Sequence, residues 1–175
     1  MTMHNAAAII DRLARTAPAV RALTAIVSAD DARWKPAPEH WSVLEIACHL
    51  CDEEREDFGY RLRSTLETPE KTWPPLDLKS VAEIRGYNQR DLAAAVDGFC
   101  AERERNIAWL RSLPNPDWSR AYIHPKVGPV SAGELLTAWG AHDALHLRQL
   151  AKRLFNLAER DGAPNPTRYA GEWTA

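Results

Sequence analysis

Three short segments of one kind constrain this chain more than anything else in it: Ser42-Val-Leu-Glu45, Ser80-Val-Ala-Glu83 and Ser131-Ala-Gly-Glu134. In such a capping box the serine oxygen takes an orphan backbone N–H of a first helical turn, and the glutamate reaches back to the serine's own N–H. Each box therefore reads as a helix start. A fourth start is marked by Thr16-Ala-Pro18, where proline sits in a first turn that does not need its N–H; Val20, Leu23, Ile26 and Val27 follow at helical spacing. Residues 4–15 read as a short lead-in helix. Prolines at Thr68-Pro69, Pro74-Pro75, Leu113-Pro-Asn-Pro116 and Asp161-Gly162-Ala-Pro164 supply the stops. Long helices are thus expected near 17–29, 42–66, 80–112 and 131–160.

Four such helices, each apolar along one stripe, bury those stripes most simply as an all-α four-helix bundle, here a single domain over residues 1–175. The loop at 67–79 is long enough to run back along a helix of about 37 Å, which allows the second and third helices to be parallel in an up-down-down-up order. The segment 113–130 holds four prolines and has room for a short extended excursion.

Charge narrows the partners. Lys and Arg total 22 against 24 Asp and Glu, a net charge of -2 without a basic block, which speaks against nucleic acid and anionic membrane. No run without an Asp, Glu, Lys or Arg exceeds ten residues, whereas a membrane span takes about 20 apolar ones, and the N-terminus has no signal-peptide apolar region. The chain is read as cytoplasmic, and three cysteines fit a reducing compartment. Cys48 and Cys51 form C-x-x-C inside a helical pattern, with no second thiol pair to complete a zinc site. Packing by small apolar thiols is the favoured reading.

Three of the six histidines stand out. His142 and His146, at i and i+4, share a helix face, and steps of three and four from His142 collect Leu135, Ala138, Trp139, Leu145, His146 and Gln149, a stripe read as inward. His49 lies on the second long helix with Asp52 and Glu53 at i+3 and i+4, carboxylates placed to accept the second ring N–H of a ligating imidazole. Three histidines from two facing helices make a metal site with open positions, as a catalytic centre requires. Taken singly, H-x3-H is common in helices and a lone inward histidine is more often a hydrogen-bonded core residue. His4, His40 and His124 are read as surface or loop residues.

Trp41-Ser42 opening a helix, the run Glu45-Ile46-Ala47-Cys48-His49-Leu50-Cys51-Asp52-Glu53-Glu54, and the run from His142-Asp143 through His146 to Leu150 together resemble the DinB-like or YfiT-like metal-binding bundle superfamily. The Ala17-Pro18 helix, the Trp34 to Pro38 approach and the closing Arg168-Tyr169-Ala-Gly-Glu172-Trp173 extend the resemblance over nearly the whole chain. It implies an up-down-down-up bundle, often dimeric, with a divalent metal, usually nickel or zinc, on positions that map to His49, His142 and His146. Some relatives are transferases acting with low-molecular-weight thiols such as bacillithiol or mycothiol; others are assigned as metal-dependent hydrolases. Cys48 and Cys51 depart from the family pattern.

Two functions follow. In the first the chain is a metal-dependent enzyme, a thiol-dependent S-transferase or a hydrolase acting on a small molecule, with Glu53 or Asp52 moving a proton or orienting a histidine and Gln149 lining the cofactor pocket. Arg148, on an adjacent helix face, is a weaker candidate for binding an anionic group. In the second the bundle binds metal without catalysis, in a stress response. An open coordination position on a solvent-connected pocket distinguishes the first from the second. Seven tryptophans (Trp34, Trp41, Trp73, Trp109, Trp118, Trp139 and Trp173), together with the family habit, lead us to expect a homodimer.

Overall fold

The computed structural model describes residues 5–76 and 80–174. The chain runs through α1 (Ala6–Thr24), α2 (Ala29–Arg33), α3 (Val43–Glu56), α4 (Phe58–Glu67), α5 (Val81–Ile84), a 3-10 turn (Tyr87–Gln89), α6 (Leu92–Ser112), β1 (Ala121–His124), β2 (Gly128–Ser131), α7 (Ala132–Gly162) and a last 3-10 turn (Thr167–Ala170). The Ser42 and Ser131 boxes close as expected, with Ser42 Oγ accepting from Glu45 N at 3.1 Å and Glu45 Oε2 accepting from Ser42 N at 2.8 Å. No helix of the described residues is long and apolar enough to cross a membrane.

Three expected helices come out differently. The lead-in helix and the first long helix merge into α1, which keeps Pro18 in its interior. Proline forfeits one backbone hydrogen bond there, but Ile10, Leu13, Ala17 and Val20 bury one continuous stripe, and that packing outweighs the local preference. The expected helix 42–66 breaks at Asp57 (φ -112, ψ -98) into α3 and α4. Asn106 Nδ2 donates to the freed Glu54 carbonyl at 3.0 Å, and Gly59 lets the chain turn. A Cβ on Gly59 would stand 2.1 Å from Glu54 O and 2.6 Å from Asn106 Nδ2. Gly59→Ala should therefore destabilise the fold by about 1–3 kcal/mol, read from thermal or urea unfolding; a change below about 0.5 kcal/mol would mean that the break is not held by this contact.

The expected helix 80–112 loses its first third. Gly86 takes a left-handed conformation (φ 58), Ser80 starts only the single turn of α5, and the long helix begins at Asp91, whose Oδ1 accepts from Ala94 N at 2.8 Å. The segment before it becomes a strap across α3, with Tyr87 fully buried. The extended excursion is present as an antiparallel β1–β2 hairpin, Ala121 opposite Ser131 and His124 opposite Gly128. It packs Tyr122 on Trp73 with ring centroids 4.0 Å apart.

Two apolar clusters fill the interior. One gathers Ala17 and Val20 of α1, Leu44, Ile46, Cys48, Leu50 and Cys51 of α3, Phe99 of α6, Leu150 of α7 and Tyr87. The other gathers Ile10 and Leu13 of α1, Leu62 of α4, Ile107 and Leu110 of α6, and Leu135, Leu136 and Trp139 of α7, with Trp73 and Tyr122. Followed from one cluster to the other, α1 and α7 run one way while α3–α4 and α6 run the other, which is the up-down-down-up four-helix bundle. Between the clusters lies a charged layer. Arg103 donates to Asp143 at 2.6 and 2.8 Å, to Glu54 at 2.7 Å and to the Leu13 carbonyl at 2.8 Å, and all three charged residues are buried.

None of the seven tryptophans is exposed. Their number is accounted for within one protomer and gives no separate reason to expect a dimer.

Candidate metal centre

His49 from α3 and His142 and His146 from α7 meet beside the charged layer. His142 Nε2 lies 3.3 Å from His49 Nε2 and 3.0 Å from His146 Nε2, and the three ring nitrogens that could ligate an ion lie within 4.8 Å of one another. An imidazole nitrogen has a single in-plane position, either N–H or lone pair, so His142 Nε2 can hydrogen-bond to one neighbour and not to both. Three nitrogens on a divalent ion at about 2.0–2.1 Å stand roughly 2.9–3.4 Å apart for angles of 90–109°, and both distances from His142 fall in that range.

The His146 tautomer suits a ligand: its Nδ1 donates to Gln149 Oε1 at 2.8 Å, which leaves the Nε2 lone pair free. His49 Nδ1 has Glu53 Oε1 beside it at 3.5 Å. Burial drives His49 down to about 3, with the His146 and His142 rings adding to it. His142 falls to about 3 through burial, then His146, then Arg103. His146 is also lowered by burial, against the opposing pull of Gln149 and Asp143. All three rings are therefore neutral near pH 7, as ligands must be. This donor set suits a divalent metal.

Apolar rings close two sides. The Trp41 ring stands 4.7 Å from His49 and stacks over His146 at 6.4 Å, and Phe58 stands 5.0 Å from His142. On a further side His49 lines a cavity of about 190 Å³ together with Glu53, Asp52, Glu56, Asp57, Arg85 and Tyr87. Glu53 is buried there. Desolvation, followed by the neighbouring Asp57 carboxylate, pushes its carboxyl up to about 8.

The other expected residues sort by contact. Asp52 lines the same cavity but bonds to the strap, accepting from Arg85 and from Tyr87 OH at 2.6 Å, so of the two carboxylates only Glu53 reaches His49. Gln149 holds His146. Leu145 and Ala138, expected on the inward stripe, are exposed. The face that α7 turns inward at this level is carried by His142, Asp143 and Trp139 instead. Arg148 is exposed, as is His40, while His124 packs beside Trp73; His4 lies outside the described residues. Cys48 and Cys51 are buried in the core, with burial raising Cys48 to about 11, so neither is a ligand or a reactive thiolate.

Sequence reasoning missed Arg103, Glu54, Arg85 and Tyr87. Their signal was faint. Glu54 sits inside an acidic run, and Arg103 sits inside Glu102-Arg103-Glu104-Arg105, which reads as a solvated face.

The sequence profile of the DinB superfamily matches residues 12–150. Among solved structures, the YfiT protein of Bacillus subtilis, described as "a probable metal-dependent hydrolase with an unusual four-helix bundle topology", superposes with a TM-score of 0.78 at 16% identity. The match covers 93% of this chain and 90% of that one, and at this identity it speaks for the fold. No protein of curated function matches the sequence.

Proposed function

The chain belongs to the DinB superfamily, and from that premise we propose that it is a metal-dependent enzyme in which His49, His142 and His146 hold one divalent ion beside the cavity at Glu53. The observation that carries this reading is the convergence of three neutral imidazole nitrogens on one point, next to a cavity whose wall holds a carboxyl poised near 8. Bound there, a divalent ion supplies the Lewis acidity that brings the pKa of a water or a thiol toward about 7. Imidazole donors suit zinc and nickel, and the activated group is the water of a hydrolase or a low-molecular-weight thiol of an S-transferase.

The chain's own residues do the rest. Gln149 fixes the ligand tautomer of His146. Glu53, charged in part of the molecules near neutral pH, takes up or releases a proton at the cavity it lines. Trp41 and Phe58 exclude water behind the imidazoles, which strengthens every electrostatic contact at the site. Asp52 acts at one remove, anchoring Arg85 and the strap that forms the opposite wall. A cavity that reaches His49, one of the three ligands, favours catalysis over a purely structural ion.

Protein purified without a tag or chelator should carry about one equivalent of divalent metal per chain by elemental analysis. Replacement with cobalt should give a visible spectrum that shifts when a small thiol or azide is added. Metal-dependent turnover should then appear in screens of thiol transfer and of ester or amide hydrolysis. A cobalt spectrum indifferent to added thiol and azide would mean a closed site and would sink the catalytic reading.

A further inference from the structure

A second cavity, of about 410 Å³, adjoins the one at His49. Pro75 and Leu76 line both, and Asp57 of the first pairs with Arg61 of the second at 3.0 Å. The second cavity lies outside the helical core, between the loop that carries Trp73 and the β1–β2 hairpin. It falls within the size range of small-molecule sites.

Its chemistry is one-sided. Trp73 and Tyr122, both buried, stack on each other at 4.0 Å, and the Arg61 guanidinium stands 5.0 Å over the Trp73 ring, so the two rings border the cavity as an apolar wall. The polar groups are donors. Lys126 is exposed and makes no ion pair among the described residues. His124 accepts the Lys126 backbone N–H on Nδ1 at 3.2 Å, which places its own ring proton on Nε2. Trp73 Nε1 and Arg61 Nε lie buried in the wall with no acceptor among the described residues. Arg61, His124 and Lys126 thus face a cavity with no carboxylate among its described lining residues, whereas four carboxylates line the cavity at His49. Cationic and donor groups beside an apolar wall favour a ligand that brings acceptor oxygens on an apolar body.

We propose that the Trp73–Tyr122 cavity is the binding subsite for the distal end of the substrate or thiol cosubstrate, and that this end is an apolar group bearing a compact oxyanion, a carboxylate or a phosphate. The apolar group lies against Pro74, Pro125 and the buried ring pair, and the oxyanion meets Lys126, His124 and the Arg61 guanidinium. The other end of the same molecule extends past Pro75 and Leu76 toward His49. The subsite as an anion site stands on its own residues; its role in presenting a reacting group rests on the metal-dependent reading above.

The test uses benzoate and phenyl phosphate as probes, with benzyl alcohol as the neutral control, on the full chain labelled with nitrogen-15. The reporter is the indole N–H resonance that disappears in Trp73→Phe. Either anion should shift it saturably, and Lys126→Glu, an exposed change in the hairpin turn, should weaken that binding about tenfold. The alcohol should produce no saturable shift. In His146→Ala the anion should bind as in the parent protein. The proposal is overturned if neither anion shifts the resonance saturably, if benzyl alcohol binds as well as they do, or if Lys126→Glu binds like the parent. Loss of binding in His146→Ala would overturn it as well, by placing the anion on the metal. Anion binding by a chain that takes up no metal would leave the subsite standing and remove the metal-dependent reading instead.

Discussion

Replacing His146 by alanine is expected to abolish stoichiometric metal binding while leaving the helical signal almost intact. Among the described residues three side chains supply ligand nitrogens, so removing one costs more than the roughly 10–100-fold that follows loss of an outer hydrogen-bonding partner; dialysed His146→Ala protein should retain well under a tenth of an equivalent. Gln149→Ala removes just such an outer partner and should fall inside that 10–100-fold range. The helical signal survives because His146 is only half-buried and belongs to neither apolar cluster. Elemental analysis and far-ultraviolet circular dichroism check the two halves of the expectation. Full metal retention by His146→Ala would move the site elsewhere.

The largest effect on stability is expected at Arg103. Its guanidinium faces two buried carboxylates, and Trp139 Nε1 and Asn106 Nδ2 also donate to Glu54, at 2.9 and 3.0 Å. Arg103→Ala leaves Glu54 and Asp143 buried without a counter-charge, a change that costs about 3–5 kcal/mol where a buried pair is broken. In a domain of this size that lowers the unfolding midpoint by about 10 °C or more. Arg103→Lys keeps the charge but not the fork that engages Asp143 with two nitrogens, so it should fall between. Urea unfolding of the three proteins gives the order, and a loss below about 1 kcal/mol for Arg103→Ala would show that the layer does not depend on its cation.

How far the fold was legible depended on whether its signals were local. The Ser42 and Ser131 boxes and the histidine spacing of α7 are contacts between residues three or four apart, and they formed as read. Ser80 shows the limit. The same four-residue pattern opens only one turn, because Gly86 six residues later adopts a backbone conformation that ends it, and Tyr87 gains more from burial against α3 than a helix would offer. Pro18 shows the reverse, a local stop overridden by a buried stripe. At the site, periodicity placed the histidines on their helices, but whether Asp52 or Glu53 turns toward His49 depends on Arg85, 33 residues away, which claims Asp52. Arg103 was hidden for a similar reason. Its neighbours Glu104 and Arg105 are exposed, and nothing in the run Glu102 to Arg105 says which of four charges faces inward.

His49 and His142 touch across 93 residues of sequence, because α3, which packs on α6, also reaches the last helix, α7. During synthesis the donor set cannot exist until nearly the whole bundle has emerged. His142 and His146 leave the ribosome together, and their only companion has by then long been part of a growing, incomplete core. Ion capture at this centre is therefore a late event that selects finished molecules, and a truncated or stalled chain lacks the third nitrogen however well its individual helices form.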